Sequence, residues 1–199
     1  MNPGMDTLQP YPFERLAELT ANLDLPPLPR IPLTIGEPKH QPPVHVLEVL
    51  LASVEEIAKY PTSIGLIELR TTIAGWLASR FKLRAVDPAT EILPVNGTRE
   101  GLFAIAQALV TPGKAGGVVI PNPFYQIYEG AALLANVKPL LVPATETTDY
   151  LADYRLLTDD DWARCEMLFL CTPGNPSGAV IPETELHFLI ENALEHNVL

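Results

Sequence analysis

The segment Met167-Leu168-Phe169-Leu170-Cys171-Thr172-Pro173-Gly174-Asn175-Pro176-Ser177-Gly178-Ala179-Val180 joins two opposite kinds of sequence. Its first half is a short apolar run, the length and composition of a strand buried on both faces. Its second half sets two prolines and two glycines around one asparagine. Proline fixes φ and glycine permits φ > 0, so this reads as a rigid turn. The turn delivers Asn175 to the carboxyl end of a buried strand, where open α/β sheets bind their ligands. A helix is predicted next, with Pro182 near its start and Glu183 and Glu185 in its first turn. On spacing alone Asn175 serves equally well as a plain turn former.

Working outward, the same alternation recurs upstream. Glu91–Val95 is a predicted strand, Asn96–Glu100 a turn, and Leu102–Val110 an apolar helix. Gly116–Ile120 is the next predicted strand, Gln126–Leu134 a helix and Lys138–Val142 another strand. Strand and helix alternating through short connections imply an α/β fold with a mainly parallel sheet covered by helices on both faces. Before it, Val44–Lys59 and Leu66–Phe81 show helical periodicity, with Trp76 on the predicted buried stripe and Arg70 off it. Residues 1–43 are proline-rich and read as an extended arm with one short helix over Phe13–Leu23. Within the arm, Leu33–Pro38 is a strand-like run ending in a turn.

The 199 residues suffice for a real core. A net charge of -11 sets the chain against nucleic acid and anionic membrane surfaces as main partners. Nothing approaches eighteen continuous apolar residues, so no membrane span is expected. The start lacks a signal peptide's basic and apolar regions, so no signal peptide is expected. Cys165 and Cys171 bracket one predicted strand and are expected to be reduced, buried thiols of a cytoplasmic protein. The four histidines lie at no metal-ligand spacing, so no metal is expected.

Three of these turns present polar groups where a sheet's ligand crevice should lie. Gly97-Thr98-Arg99 opens a helix, whose free N–H groups and dipole favour an anion by about 0.3–1 kcal/mol. An ordinary N-cap by Thr98 explains the same residues. Tyr125 follows a Pro-Asn-Pro break and offers either a flat platform for a heteroaromatic ring or a core contact. An anion cradle, a stacking ring and a rigid asparagine together suit pyridoxal 5'-phosphate. Gly113–Gly117 is glycine-rich but precedes a strand, so it is no dinucleotide fingerprint, and a nicotinamide-binding domain falls behind.

The sequences Tyr60…Gly65…Glu68-Leu69-Arg70, Asn96-Gly97-Thr98-Arg99-Glu100, Pro121-Asn122-Pro123-Phe124-Tyr125-Gln126-Ile127-Tyr128-Glu129-Gly130-Ala131 and Pro173-Gly174-Asn175-Pro176-Ser177-Gly178 resemble class I/II aminotransferases of fold type I. The run around Tyr125 is most similar to the succinyldiaminopimelate aminotransferases of lysine biosynthesis. The resemblance implies the N-terminal, incomplete part of a pyridoxal-phosphate fold type I large domain over 44–199, with 1–43 an arm of the small domain. It implies a cofactor set of Gly97, Thr98 and Arg99 at the phosphate, Tyr125 on the pyridine ring and Asn175 at the phenolic oxygen. It also assigns Tyr60 to the neighbouring subunit's phosphate and Gly36 to the substrate carboxylate pocket. Amino-acid and 2-oxo-acid substrates and a homodimer are implied with them. No catalytic residue is expected in this chain: the Schiff-base lysine belongs beyond Leu199, so the chain as it stands should be inactive. Two other readings stay open. One is a sibling aminotransferase acting on aspartate, aromatic or other dicarboxylic amino acids. The other is a non-catalytic binding or regulatory domain with the same fold.

Overall fold

The computed structural model describes residues 2–24, 26–29, 31, 33 and 35–199. They form two compact units, 13–94 and 1–12 with 95–199.

The 13–94 unit is helical. It holds α1 (Pro12–Thr20, beginning one residue before it), α2 (Val44–Ala52), a 3-10 helix at Val54–Ala58 and α3 (Ile67–Phe81). The single helix expected over 44–59 breaks at Ser53, whose N–H is shared between Val49 O and Leu50 O. Leu33–Pro38 is not a strand over its described residues, and Thr34 lies outside them. Leu33 and Ile35 are exposed there, with no ladder to join. Arg70, expected off the buried stripe, is only 6% exposed. Its Nη1 donates to Pro88 O at 2.8 Å and Ala89 O at 3.3 Å, which makes burial of the charge tolerable. That turn is tied by Asp87, which accepts from the Ala89 amide and the Thr90 hydroxyl. Those bonds hold the Asp87 carboxyl below its ordinary range. Trp76, expected in the core, is 57% exposed and instead meets Phe81 edge-on at 5.6 Å.

The second unit carries the sheet. Its elements are α4 (Thr98–Leu109), β1 (Val118–Asn122), α5 (Ile127–Leu134), β2 (Leu140–Pro143), α6 (Asp159–Arg164), β3 (Met167–Leu168) and α7 (Glu183–His196). The strands are parallel in the order β2-β1-β3, with Val119 opposite Leu140 and Val118 opposite Met167. Both faces of β1 are buried. Val118 and Ile120 pack with Ala106, Tyr128, Ala131 and Phe169, beneath α4 and α5. Val119 packs on the other side with Val142, Tyr154, Trp162, Cys165 and Leu189, beneath α6 and α7. Each of these fully buried aliphatic side chains contributes about 1.5–3 kcal/mol. Burial pushes the Cys165 thiol up to about 11; both cysteines are free, and Cys171, expected to be buried, is only partly so because it lines a crevice at the strand ends.

The strand expected at 91–95 does not form. Pro94 has no N–H to give a ladder, and Glu91 N–H turns back to Asp87 O at 2.9 Å. The next strand begins at Val118, two residues later than expected, because Gly116 sits at φ +77° in a turn closed by Gly117 N–H to Lys114 O. That turn is fastened to β3 by Glu166, which accepts from the Thr111 amide (2.7 Å), the Thr111 hydroxyl (2.9 Å) and Lys114 Nζ (3.0 Å). Leu199 lies along the outer edge of β3: its O accepts from Leu168 N–H and its N–H donates to Glu166 O. At the other terminus, Asn2 binds Gly4 N–H and donates to Leu134 O, docking a 3-10 helix (Pro3–Thr7) on α5.

Candidate active site

The 172–181 turn is bonded almost wholly to itself. Gly174 N–H donates to Ala179 O at 2.8 Å, Gly178 N–H to Gly174 O at 2.7 Å, and Ile181 N–H to the Thr172 hydroxyl at 3.1 Å. A Cβ on Gly174 would lie 2.6 Å from Ser177 Oγ, which would have to turn away from the Ala179 amide it accepts from. The Thr172–Pro173 and Asn175–Pro176 peptides are cis, as is Asn122–Pro123. Asn175 stands exposed at the tip, and among the described residues its side chain makes no hydrogen bond. It lines a narrow crevice of about 30 Å³ at the carboxyl ends of the strands, with Pro121, Pro123, Tyr150, Tyr154 and Cys171. That volume holds a water or two.

α4 opens at Thr98. Its first intrahelical bond is Gly101 N–H to Gly97 O, and no side chain caps the helix. Among the described residues the amides of Thr98, Arg99 and Glu100 and the Thr98 hydroxyl therefore have no protein acceptor. Gly97 has φ +157°, a region side-chain-bearing residues rarely adopt, and a Cβ there would fall 2.5 Å from a Glu100 carboxylate oxygen.

Arg99 and Tyr125 meet directly. Arg99 Nε donates to Tyr125 Oη at 3.2 Å, and its Cζ lies 6.0 Å from the ring centroid. The bond to Tyr125 raises the guanidinium further above its ordinary value, leaving it a permanent cation. Tyr125 in turn meets Tyr128 edge-on at 5.8 Å. Tyr128 is 4% exposed and stacks on Phe169 at 4.6 Å with 9° between the planes. Burial, reinforced by Cys171, pushes Tyr128 up to about 12. A continuous series of contacts thus runs from the α4 N-terminus through two tyrosines to the strand end beside Asn175.

The structure joins Arg99 with Tyr125, keeps Gly97 and Thr98 beside them, and places Asn175 at the crevice. Tyr125 does not line that crevice. Tyr60 and Gly36 belong to the 13–94 unit. Tyr60 is 97% exposed, and a Cβ on Gly36 would meet nothing within 4 Å. Sequence reasoning passed over Tyr128, although its place three residues after Tyr125 is a helical neighbour's spacing. It also passed over Cys171 as part of a site wall. Among the described residues no cluster of three or more His, Cys, Asp or Glu could hold a metal, and no helix is long and apolar enough to cross a membrane.

A family model described as aminotransferase class I and II matches residues 29–199. The chain belongs to the class I and II aminotransferases. A relative from Nitratidesulfovibrio vulgaris, named LL-diaminopimelate aminotransferase, is 31% identical over 97% of this chain and 49% of its own length. The crystal structure of an aminotransferase from Neisseria meningitidis matches with TM-score 0.89 and 38% identity, over 100% of this chain and 51% of that one. The aminotransferase AspB from Helicobacter pylori matches with TM-score 0.85 and 31% identity, over 96% and 50%. The chain therefore spans about half the length of the curated relatives it matches. The fold is the aminotransferase α/β fold, and the family is pyridoxal-phosphate-dependent.

The donor set in this unit fits that cofactor. Uncapped amides and a free hydroxyl at a helix N-terminus suit a phosphate. An aromatic ring held from two sides suits a pyridine face, and an unpartnered amide suits a phenolic oxygen.

Proposed function

We propose that the protein is a homodimeric cytoplasmic transaminase that moves an amino group between N-succinyl-L,L-diaminopimelate and 2-oxoglutarate. The observation that carries the catalytic reading is the uncapped α4 N-terminus beside the doubly held Tyr125, in the same unit as the unpartnered Asn175. The similarity of Pro121–Ala131 to the succinyldiaminopimelate enzymes supports the substrate. Pyridoxal phosphate, when bound, supplies the aldehyde carbon that takes up the amino group and a ring that withdraws electrons. Gly97, Thr98 and the backbone amide of Arg99 would form the phosphate end, and Tyr125 would cover one face of the ring. The Asn175 amide donates to the charged phenolic oxygen, a bond of about 1.5–3 kcal/mol. Tyr60 serves the neighbouring subunit's phosphate and Gly36 the substrate carboxylate. Residues 1–43 form an arm of the small domain, and 44–199 part of the large one.

A second reading, with unsuccinylated LL-diaminopimelate as amino donor, is favoured by the names of the relatives. The test is a glutamate-release assay on the protein expressed from its complete reading frame, with pyridoxal phosphate and 2-oxoglutarate. Glutamate from the succinylated donor alone supports the first reading, and from the free diamine alone the second. Aspartate or an aromatic amino acid as sole donor rejects both. No glutamate from any donor leaves the non-catalytic binding domain as the better account.

A further inference from the structure

The resemblance groups Arg99 with Gly97 and Thr98 at the phosphate end. In the structure its guanidinium is committed elsewhere. Nε donates to the Tyr125 phenol at 3.2 Å, and Cζ stands 6.0 Å from the centre of the same ring. Tyr125 also rests edge-on against Tyr128, itself fixed by stacking on Phe169 at 4.6 Å. A tyrosine on a loop has two free torsions. An edge-on neighbour restrains the ring at its side, and a donor at the phenol oxygen restrains its far end. The bond at the phenol oxygen, which lies on the ring's own axis, limits the swing of the side chain, and the edge-on contact limits rotation about that axis. The planar guanidinium suits this role, since its donors hold a fixed direction while its face lies near the ring.

We propose that Arg99 is a positioning residue: by holding the Tyr125 phenol it fixes where the far end of the ring that faces the cofactor sits, and its guanidinium does not act as an independent phosphate ligand. The proposal refines the pyridoxal-phosphate reading above and rests on it for its functional consequence. The backbone amides of Thr98, Arg99 and Glu100 and the Thr98 hydroxyl then carry the anion. The Arg99 guanidinium fixes the far end of the neighbouring platform.

Two measurements test it on the protein expressed from its complete reading frame. The first uses the cofactor-free protein labelled with carbon-13 at the tyrosine ζ-carbons, with the Tyr125 signal assigned by its loss in Tyr125→Phe. Arg99→Met should move the Tyr125 resonance, and an unchanged resonance overturns the proposal. The second is a cycle of pyridoxal-phosphate dissociation constants for the native protein, Arg99→Met, Tyr125→Phe and the double variant. Each single change should weaken binding by about tenfold, the worth of one hydrogen bond from a charged donor. The double variant should be no weaker than the weaker single one. Fully multiplicative losses would show Arg99 acting on the phosphate directly and would sink the proposal. A native protein that bound no pyridoxal phosphate would instead overturn the functional reading. The ζ-carbon measurement would still decide whether Arg99 holds Tyr125. Arg99 is exposed, so its replacement leaves the core intact.

Discussion

Replacing Tyr128 by phenylalanine keeps the ring stacked on Phe169 and edge-on to Tyr125 but removes the hydroxyl near Cys171. At pH 8 the loss should be that of one modest hydrogen bond, about 0.5–1.5 kcal/mol. The alkaline side carries the sharper consequence. Burial, then the neighbouring Cys171, raises Tyr128 from 10.0 to about 12. The folded state therefore keeps a proton that the unfolded state gives up, and stability falls as pH rises from the lower value toward the higher one. At pH 11 this group alone should have cost the native protein about 1.4 kcal/mol, a factor of ten in the folding equilibrium. Tyr128→Phe has no such proton, so its disadvantage at pH 8 should shrink or reverse by pH 11. Tyr154, also raised by burial and by Tyr128, titrates in both proteins and largely cancels in the difference. Urea unfolding followed by circular dichroism at pH 8, 9, 10 and 11 reads the two curves. A stability difference that stays constant across that range would refute the account of how Tyr128 is buried.

Three further expectations follow from other parts of the same unit. Ile120→Ala empties a fully buried site in β1 and should lower stability by about 3–4 kcal/mol, read as a shift in the urea midpoint at unchanged slope. Glu166→Gln keeps the shape but not the charge that binds Thr111 and Lys114, a loss of about 1 kcal/mol at pH 7 given its partial exposure. Burial pushes Glu166 up, but those partners outweigh it and its carboxyl lies below the ordinary range. Its contribution is therefore present above the unfolded carboxylate value and lost as pH falls through the lower folded one, so acid unfolding curves of the two proteins should converge. Asn175→Ala should leave the melting temperature within about 1 °C, because the side chain is exposed and unbonded, while weakening pyridoxal-phosphate binding tenfold or more in a fluorescence titration.

Much of the sheet unit was legible because its elements carry their own punctuation. The apolar runs at 118–120 and 167–169 are too short for helices. The helices α4, α5 and α7 are bounded by glycine, proline and asparagine that fix where they begin or end. Gly97-Thr98-Arg99, Tyr125 and Asn175 stood out as candidates for the same reason: each lies in a turn of unusual composition beside a helix or a strand. What escaped was set by partners distant in sequence. Pro94 spoiled a strand that apolar composition alone suggested. Arg70 is buried because two carbonyls 18 and 19 residues away receive it, which no periodicity announces. Trp76 shows the reverse, an apolar stripe that its own unit leaves largely exposed. The direct bond between Arg99 and Tyr125 spans 26 residues and is invisible to spacing.

The way the 172–181 turn is tied has a consequence for chain length. Its bonds begin and end within ten residues, from the Thr172 hydroxyl to Ile181 N–H. One codon gained or lost after Ile181 would rephase α7 and leave Asn175 where it stands. The same change between Thr172 and Ile181 would unlace the loop and take the asparagine with it. Two neighbouring stretches of one polypeptide thus differ: a change of length in the helix disturbs the packing of Leu189 but spares the asparagine, whereas one in the turn displaces the asparagine itself.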